Sequence, residues 1–191
     1  MLRPLKKLCT RQEYLAMEEV APYKSEYHQG KMYMMAGGTG DHSLIKVSVI
    51  RELSVRLRRT PCRVFDSDMR LLIDAEDLYT YPDAMVVCGK VEYENKKETT
   101  LTNRVLIVKV LSETTRVYDR TDKFAFYKQI PTLQEYVLVG SIEPHIEIRR
   151  KVLGRKWVTE HHKGLDAVIR LQSANIEISA RDLYEQASWY A

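Results

Sequence analysis

Apolar residues along this chain follow two kinds of spacing, which divide it into elements. At Thr10-Arg11-Gln12-Glu13 the Thr side chain can take the Glu13 amide while Glu13 reaches back. Tyr14, Leu15, Met17 and Val20 follow at roughly helical spacing, which predicts a first helix over about residues 10–20. After Pro22, residues 23–29 and 31–35 read as two strands turning at Gln29-Gly30. Gly37-Gly38-Thr39-Gly40 breaks the chain, with Asp41 as a plausible cap. Residues 42–59 then carry Ile45, Val49, Ile50, Leu53 and Leu57 as a helical stripe, with Lys46, Arg51, Glu52, Arg56 and Arg58 opposite. Strands are expected at 63–66 and 69–74.

The centre of the pattern is a pair of apolar runs. Pro82-Asp83 leads into Ala84-Met85-Val86-Val87-Cys88, and Val105-Leu106-Ile107-Val108-Lys109-Val110-Leu111-Ser112 follows. Such runs read as strands buried on both faces of a sheet. Asp83 and Lys109 are then charges where burial costs several kcal/mol each if unpaired, so the sheet must pair them or use them. The polar interval 89–104 is expected to be an exposed connection. Residues 119–129 predict a helix with Phe124, Phe126 and Tyr127 inside and Asp122, Lys123 and Lys128 outside, stopped by Pro131. Further strands are expected at 135–139, 145–150 and 156–160, and a last helix opens at Ser179 and runs through Ala187. No repeat, low-complexity tract or linker interrupts residues 1–191, so the expectation is one α+β domain with a mixed sheet.

Composition narrows this picture only a little. With 45% apolar and 29% charged residues, the chain has the makings of an ordinary globular core. No apolar run approaches the roughly 20 residues of a membrane span. No secretory signal is visible at the N-terminus either. Cys9, Cys62 and Cys88 form an odd set without a CxxC pair, so reduced thiols and a cytoplasmic setting are expected. A net charge of +4 permits a polyanionic partner without demanding one.

Four features compete for chemistry. Glu26, Asp68 and Asp83 could present carboxylates to a hard divalent cation, though Asp83 could equally cap a strand. Lys109 is either a snorkelling lysine, an ion-pair partner of Asp83 or a site lysine. Lys123 and Tyr127 lie four apart on one helix face that could meet a phosphate, and Asp119 could cap that helix. His161-His162, with Arg149-Arg150-Lys151 and Arg155-Lys156, could touch a nucleic-acid backbone or simply be solvated; adjacent histidines on a strand point to opposite faces and cannot share one metal. No P-loop, GxSxG, HExxH or dinucleotide fingerprint is present.

Taken in order, Tyr27-His28-Gln29-Gly30-Lys31-Met32-Tyr33-Met34-Met35-Ala36-Gly37-Gly38, His42, Cys62 to Arg70, Tyr81-Pro82-Asp83, Val108 to Ser112, Tyr118-Asp119-Arg120, Lys123-Phe124 and Leu133 to Tyr136 resemble the Uma-two family of restriction-endonuclease-like proteins, within the PD-(D/E)XK nuclease superfamily. The resemblance runs over about residues 10–150. It implies a restriction-endonuclease-like fold, a mixed central sheet flanked by helices with an N-terminal helix and hairpin, in a homodimer. It also implies DNA phosphodiester hydrolysis with magnesium or manganese and no organic cofactor. Carried over position by position, Asp83, Asp68 and Glu26 become metal ligands, and Asp83, Lys109 and Lys123 the catalytic set. One position departs. Lys109 stands where the family pattern has the glutamate that would face Asp83, which exchanges a negative for a positive charge at a cation site and weakens or abolishes metal binding there. The alternative is an inactive nuclease-fold protein that binds nucleic acid or serves as an oligomeric module.

Overall fold

The thirteen-odd short elements expected from the pattern resolve, in a computed structural model, into two six-stranded sheets, a small hairpin and five helices; the structure describes residues 4–5, 8–35, 37–153 and 156–190. In chain order these are β1 (Pro4–Leu5), α1 (Arg11–Val20), β2 (Ser25–His28), β3 (Lys31–Met34), α2 (Gly40–Arg56), β4 (Cys62–Asp66), β5 (Arg70–Ile73), β6 (Leu78–Thr80) and β7 (Ala84–Cys88). They continue with β8 (Thr100–Leu101), β9 (Leu106–Leu111), α3 (Arg116–Arg120), α4 (Asp122–Tyr127), β10 (Glu135–Gly140), β11 (His145–Lys151), β12 (Trp157–Lys163), β13 (Val168–Leu171), β14 (Ile176–Ser179) and α5 (Ala180–Tyr184). One sheet runs β1-β3-β2-β6-β5-β8; the other, central sheet runs β12-β11-β10-β9-β7-β4; β13 and β14 pair alone. Both large sheets are mixed, since β9–β10 and β5–β8 are parallel and their other pairs antiparallel.

Most local reasons are those the sequence suggested, except that Thr39 rather than Asp41 caps α2, the His42 amide donating to Thr39 Oγ1 at 3.3 Å. Thr10 and Glu13 close a capping box on α1, with the Thr10 amide donating to the Glu13 carboxylate at 2.8 Å and the Glu13 amide donating to Thr10 Oγ1 at 3.2 Å. Gln29 and Gly30 both take positive φ, 48° and 82°, as a two-residue hairpin turn requires. α2 buries Ile45, Val49 and Leu53 against one face of the central sheet, which β13, β14 and α5 also cover. The opposite face packs β5, β6 and α4 against Met85, Ile107, Tyr136 and Leu138. Both faces of the central sheet are therefore dry, which explains its continuous apolar runs.

Four further expectations need correction. The interval 89–104 is not wholly exposed: Thr100 and Leu101 form β8 beside β5, and Arg104 is 2% exposed. The single helix expected at 119–129 is split at Thr121 into α3 and α4, and Lys123, expected outside, is 3% exposed because it has a buried carboxylate to meet. Cys62 and Cys88, expected reduced, are direct partners across β4–β7 and form a disulfide with S–S 1.99 Å. Two members of the basic cluster near residue 150 are internal, since Arg149 bonds Glu147 and Arg150 bonds Glu135 and Glu160, while Arg155 lies outside the described residues. Among the described residues no helix is long and apolar enough to cross a membrane.

Leu53→Ala, a cavity under α2 at a residue 1% exposed, is expected to cost about 2–5 kcal/mol of stability in urea titration. Val55→Ala, 63% exposed on the same helix, should stay within about 0.5 kcal/mol.

Candidate active site

Strand alternation decides which charges meet. On β9, Leu106, Val108 and Val110 face α2, so Ile107, Lys109 and Leu111 face the other way, toward α4. Asp83 precedes β7 and shares the face of Met85, because Ala84 and Val86 point to the α2 side. In the antiparallel register Ala84 opposes Val108, which puts Asp83 opposite Lys109. Lys109 Nζ lies 2.9 Å from Asp83 Oδ2, and the Val110 amide donates to the same oxygen at 2.8 Å. That amide lies beyond the last β7 partner, so the carboxylate satisfies a backbone donor the ladder does not reach.

The other large sheet delivers a second pair. Tyr27 and Tyr79 pack under α1 with Tyr14, which turns Glu26 of β2 and Thr80 of β6 to the opposite face. There Lys123 of α4 donates to Glu26 Oε1 at 2.6 Å and to Thr80 Oγ1 at 2.6 Å, and the Thr80 hydroxyl donates to Glu26. Asp119 of α3 is 2% exposed and accepts from the Thr115 hydroxyl at 2.7 Å. Glu26, Asp83, Lys109, Asp119 and Lys123 line one cavity of about 110 Å3, with His42, Ser112, Thr115, Tyr118 and the Gly37-Gly38 loop at its wall. His42 Nε2 sits 3.0 Å from the Val110 carbonyl. A Cβ at Gly38 would fall 2.5 Å from His42 Nδ1, so glycine there lets the loop close on the ring.

The electrostatics follow from burial. Burial alone would pull the Lys109 ammonium down, but Asp83 and then Asp119 outweigh it and hold its pKa above the ordinary lysine range. Burial would push the Glu26 carboxyl up, yet the Lys123 charge and the Lys123 and Thr80 donors leave it below the ordinary value. Burial lowers the pKa of Lys123, with Glu26 opposing and Lys109 adding to the decrease. Burial raises that of Asp119 despite Lys109 and the Thr115 hydroxyl. The cavity thus holds two carboxylate–ammonium pairs in contact, Asp83 with Lys109 and Glu26 with Lys123, and a third carboxyl group, Asp119, held by the Thr115 hydroxyl.

Of the residues singled out from sequence, Glu26, Asp83, Lys109 and Lys123 converge. Asp68 does not join them: its side chain is 82% exposed and ion-paired with Lys24 outside the cavity. Thr80 was not anticipated; its only signal is that it alternates with Tyr79 and Tyr81 just before Pro82-Asp83. Asp119, for which a helix cap is one expectation, lies inside the cavity.

The donor set does not fit a divalent cation as it stands. Among the described residues no group of three or more His, Cys, Asp or Glu is arranged to hold a metal. Magnesium wants free carboxylate oxygens in near-octahedral array. Glu26 Oε1 already accepts from Lys123 and Thr80, and Asp83 Oδ2 from Lys109 and Val110. The Lys109 ammonium is itself the cation beside Asp83.

A family model described as "Putative restriction endonuclease" matches residues 11–181. The chain belongs to the Uma2 family. Two Synechocystis proteins, both described only as uncharacterized, are similar to this Uma2 chain: sll1609 at 35% identity, covering 89% of this chain and 96% of its own, and slr1290 at 33%, covering 91% and 90%. A crystal structure described as a putative nuclease belonging to DUF820, from Anabaena variabilis, superposes with a TM-score of 0.75 over 93% of this chain and 98% of that one. At 20% identity that likeness shows the fold, a mixed α+β nuclease-type architecture.

Lys109→Met in this Uma2 chain leaves Asp83 buried without its partner and is expected to lower stability by about 3–5 kcal/mol, whereas Asp83→Asn/Lys109→Met recovers most of the loss; urea midpoints of the cycle measure both. A second expectation concerns pH. Because the Glu26 pKa is depressed in the fold, its contribution is present above the unfolded value of about 4.3 and is lost as pH falls through the folded one. Urea midpoints of the wild type should therefore fall across that acid window, and Glu26→Gln should remove this part of the slope.

Proposed function

We propose that this Uma2 chain is a nuclease-fold protein that takes a nucleic-acid phosphate, DNA in the first instance, against its two buried lysines, and that Lys109 suppresses metal-dependent cleavage. The observation that carries this is the 2.9 Å contact between Lys109 Nζ and Asp83 Oδ2. A unit charge 4 Å from another interacts by about 4 kcal/mol at an effective dielectric of 20, so a divalent ion beside this ammonium would meet about twice that in repulsion. That is enough to outweigh ordinary site affinities by several decades. An ammonium carries three N–H donors. Lys123 directs two of its own to Glu26 and Thr80, and Lys109 one to Asp83, so each keeps donor capacity for an anionic oxygen. Ser112, Thr114 and Thr115 add hydroxyls to the cavity wall.

Magnesium-dependent endonuclease activity is the second proposal, favoured by the convergence of Glu26, Asp83 and Lys123 in a family whose description reads "Putative restriction endonuclease". Calorimetric titration with magnesium and manganese separates the two. The wild type is expected to give no site-specific heat at millimolar metal, and Lys109→Glu to create a binding site. Supercoiled plasmid with magnesium is expected to stay intact with the wild type and to be nicked by Lys109→Glu. Cleavage by the wild type that disappears in Asp83→Ala would overturn the first proposal in favour of the second.

A further inference from the structure

On the far flank of α4 from the cavity, a second concavity of about 400 Å3 is lined by Lys128, Gln129, Pro131, Lys151 and Trp157. Trp157 opens β12, the edge strand of the central sheet, and is only half-buried. Its indole meets the Phe124 ring edge-on, with centroids 5.2 Å apart at 89°. Lys128 lies 5.1 Å from the centroid of that same ring, and Lys151 Nζ donates to the Pro131 carbonyl at 3.0 Å. Among the described residues neither lysine is ion-paired with a carboxylate, in contrast to Arg149 and Arg150 close by. The notch therefore presents a fixed aromatic surface flanked by two positive charges that the protein does not neutralise.

We propose that this notch holds an unpaired nucleotide of a single-stranded nucleic acid, its base against Trp157 and its phosphate between Lys128 and Lys151. The inference rests on the cavity being a nucleic-acid site and extends it along the strand. A flat π-face beside cations is what sequence-tolerant single-strand binding uses, because every base has a face to stack and every nucleotide a phosphate. A duplex hides its base faces, so it cannot use the indole in this way. A phosphopeptide calls for a free guanidinium fork, and among the described residues the nearby guanidiniums of Arg149 and Arg150 are held by Glu147, Glu135 and Glu160. Lys123 and Lys128 are five residues apart, about 7.5 Å along the helix, so α4 ties the notch to the cavity.

The chain has two tryptophans, so Trp189→Phe leaves Trp157 as the only indole reporter. In that background, a short oligo-dT is expected to quench Trp157 fluorescence and a blunt duplex of equal length is not. Lys128→Ala/Lys151→Ala, at two surface positions that should leave the fold intact, is expected to weaken oligo-dT binding about tenfold and to reduce the logarithmic salt slope by roughly 0.7, the share of the one phosphate held between them on a single strand. Trp157→Phe should weaken binding less than Trp157→Ala. Unchanged affinity and salt slope in the lysine double variant, or equal quenching by the duplex, overturns the inference. Ser112→Asp, which puts a negative charge on the cavity wall, separates the two sites. Binding that falls with Ser112→Asp but not with the notch variants removes the notch and keeps the cavity; the reverse keeps the notch and removes the cavity; an oligo-dT that does not bind at all removes both.

Discussion

A buried charge must find its counter-charge, and in this protein that requirement joins elements that are distant in sequence. Asp83 and Lys109 meet because β7 and β9 are antiparallel neighbours in a register that opposes them. Glu26 and Lys123 meet although 97 residues separate them. Thr80 completes the second pair from a third strand, and Asp119 adds a carboxyl from a short helix after β9. Neither pair can be relaxed alone, since removing one partner leaves the other without solvent or counter-ion. Both sheets and the α3–α4 corner are thereby fastened at one point, where the apolar cores on either side leave a polar gap.

The same requirement bears on chemistry. At this gap the fold brings Glu26, Asp83 and Asp119 together, and Lys109 and Lys123 supply the positive charge beside them. An ammonium and a divalent metal answer the same electrostatic demand, but only the metal can carry several oxygen ligands and activate a water. Family membership and fold are thus compatible with more than one activity, and the side chains within the cavity must discriminate between them.

The periphery illustrates how poorly a run of like charges predicts a surface. Arg149 and Arg150 look like a basic patch in sequence, yet both are occupied by carboxylates on their own or neighbouring strands. Arg51 and Arg56 tie α2 to α5 and the segment around it through Glu185 and Asp182. Lys151, the third member of that run, and Lys128 have no carboxylate partner among the described residues, and they flank the notch at Trp157.

By itself the sequence determined the helices with strong caps, the Gln29-Gly30 hairpin, the buried double-faced strands and the conflict at Lys109, because each depends on spacing over a few residues. That Asp83 and Lys109 share one face was decided by the register of β7 against β9. Only the tertiary structure decided that Asp68 lies outside the cavity and that Asp119 lies within it. It alone turned Lys123 inward and brought Cys62 against Cys88. Those outcomes depend on strand order, register and the closure of segments far apart in the chain. No local pattern records which distant group will stand opposite a charge, and for a buried charge that neighbour decides whether it is a ligand, an ion pair or a surface residue.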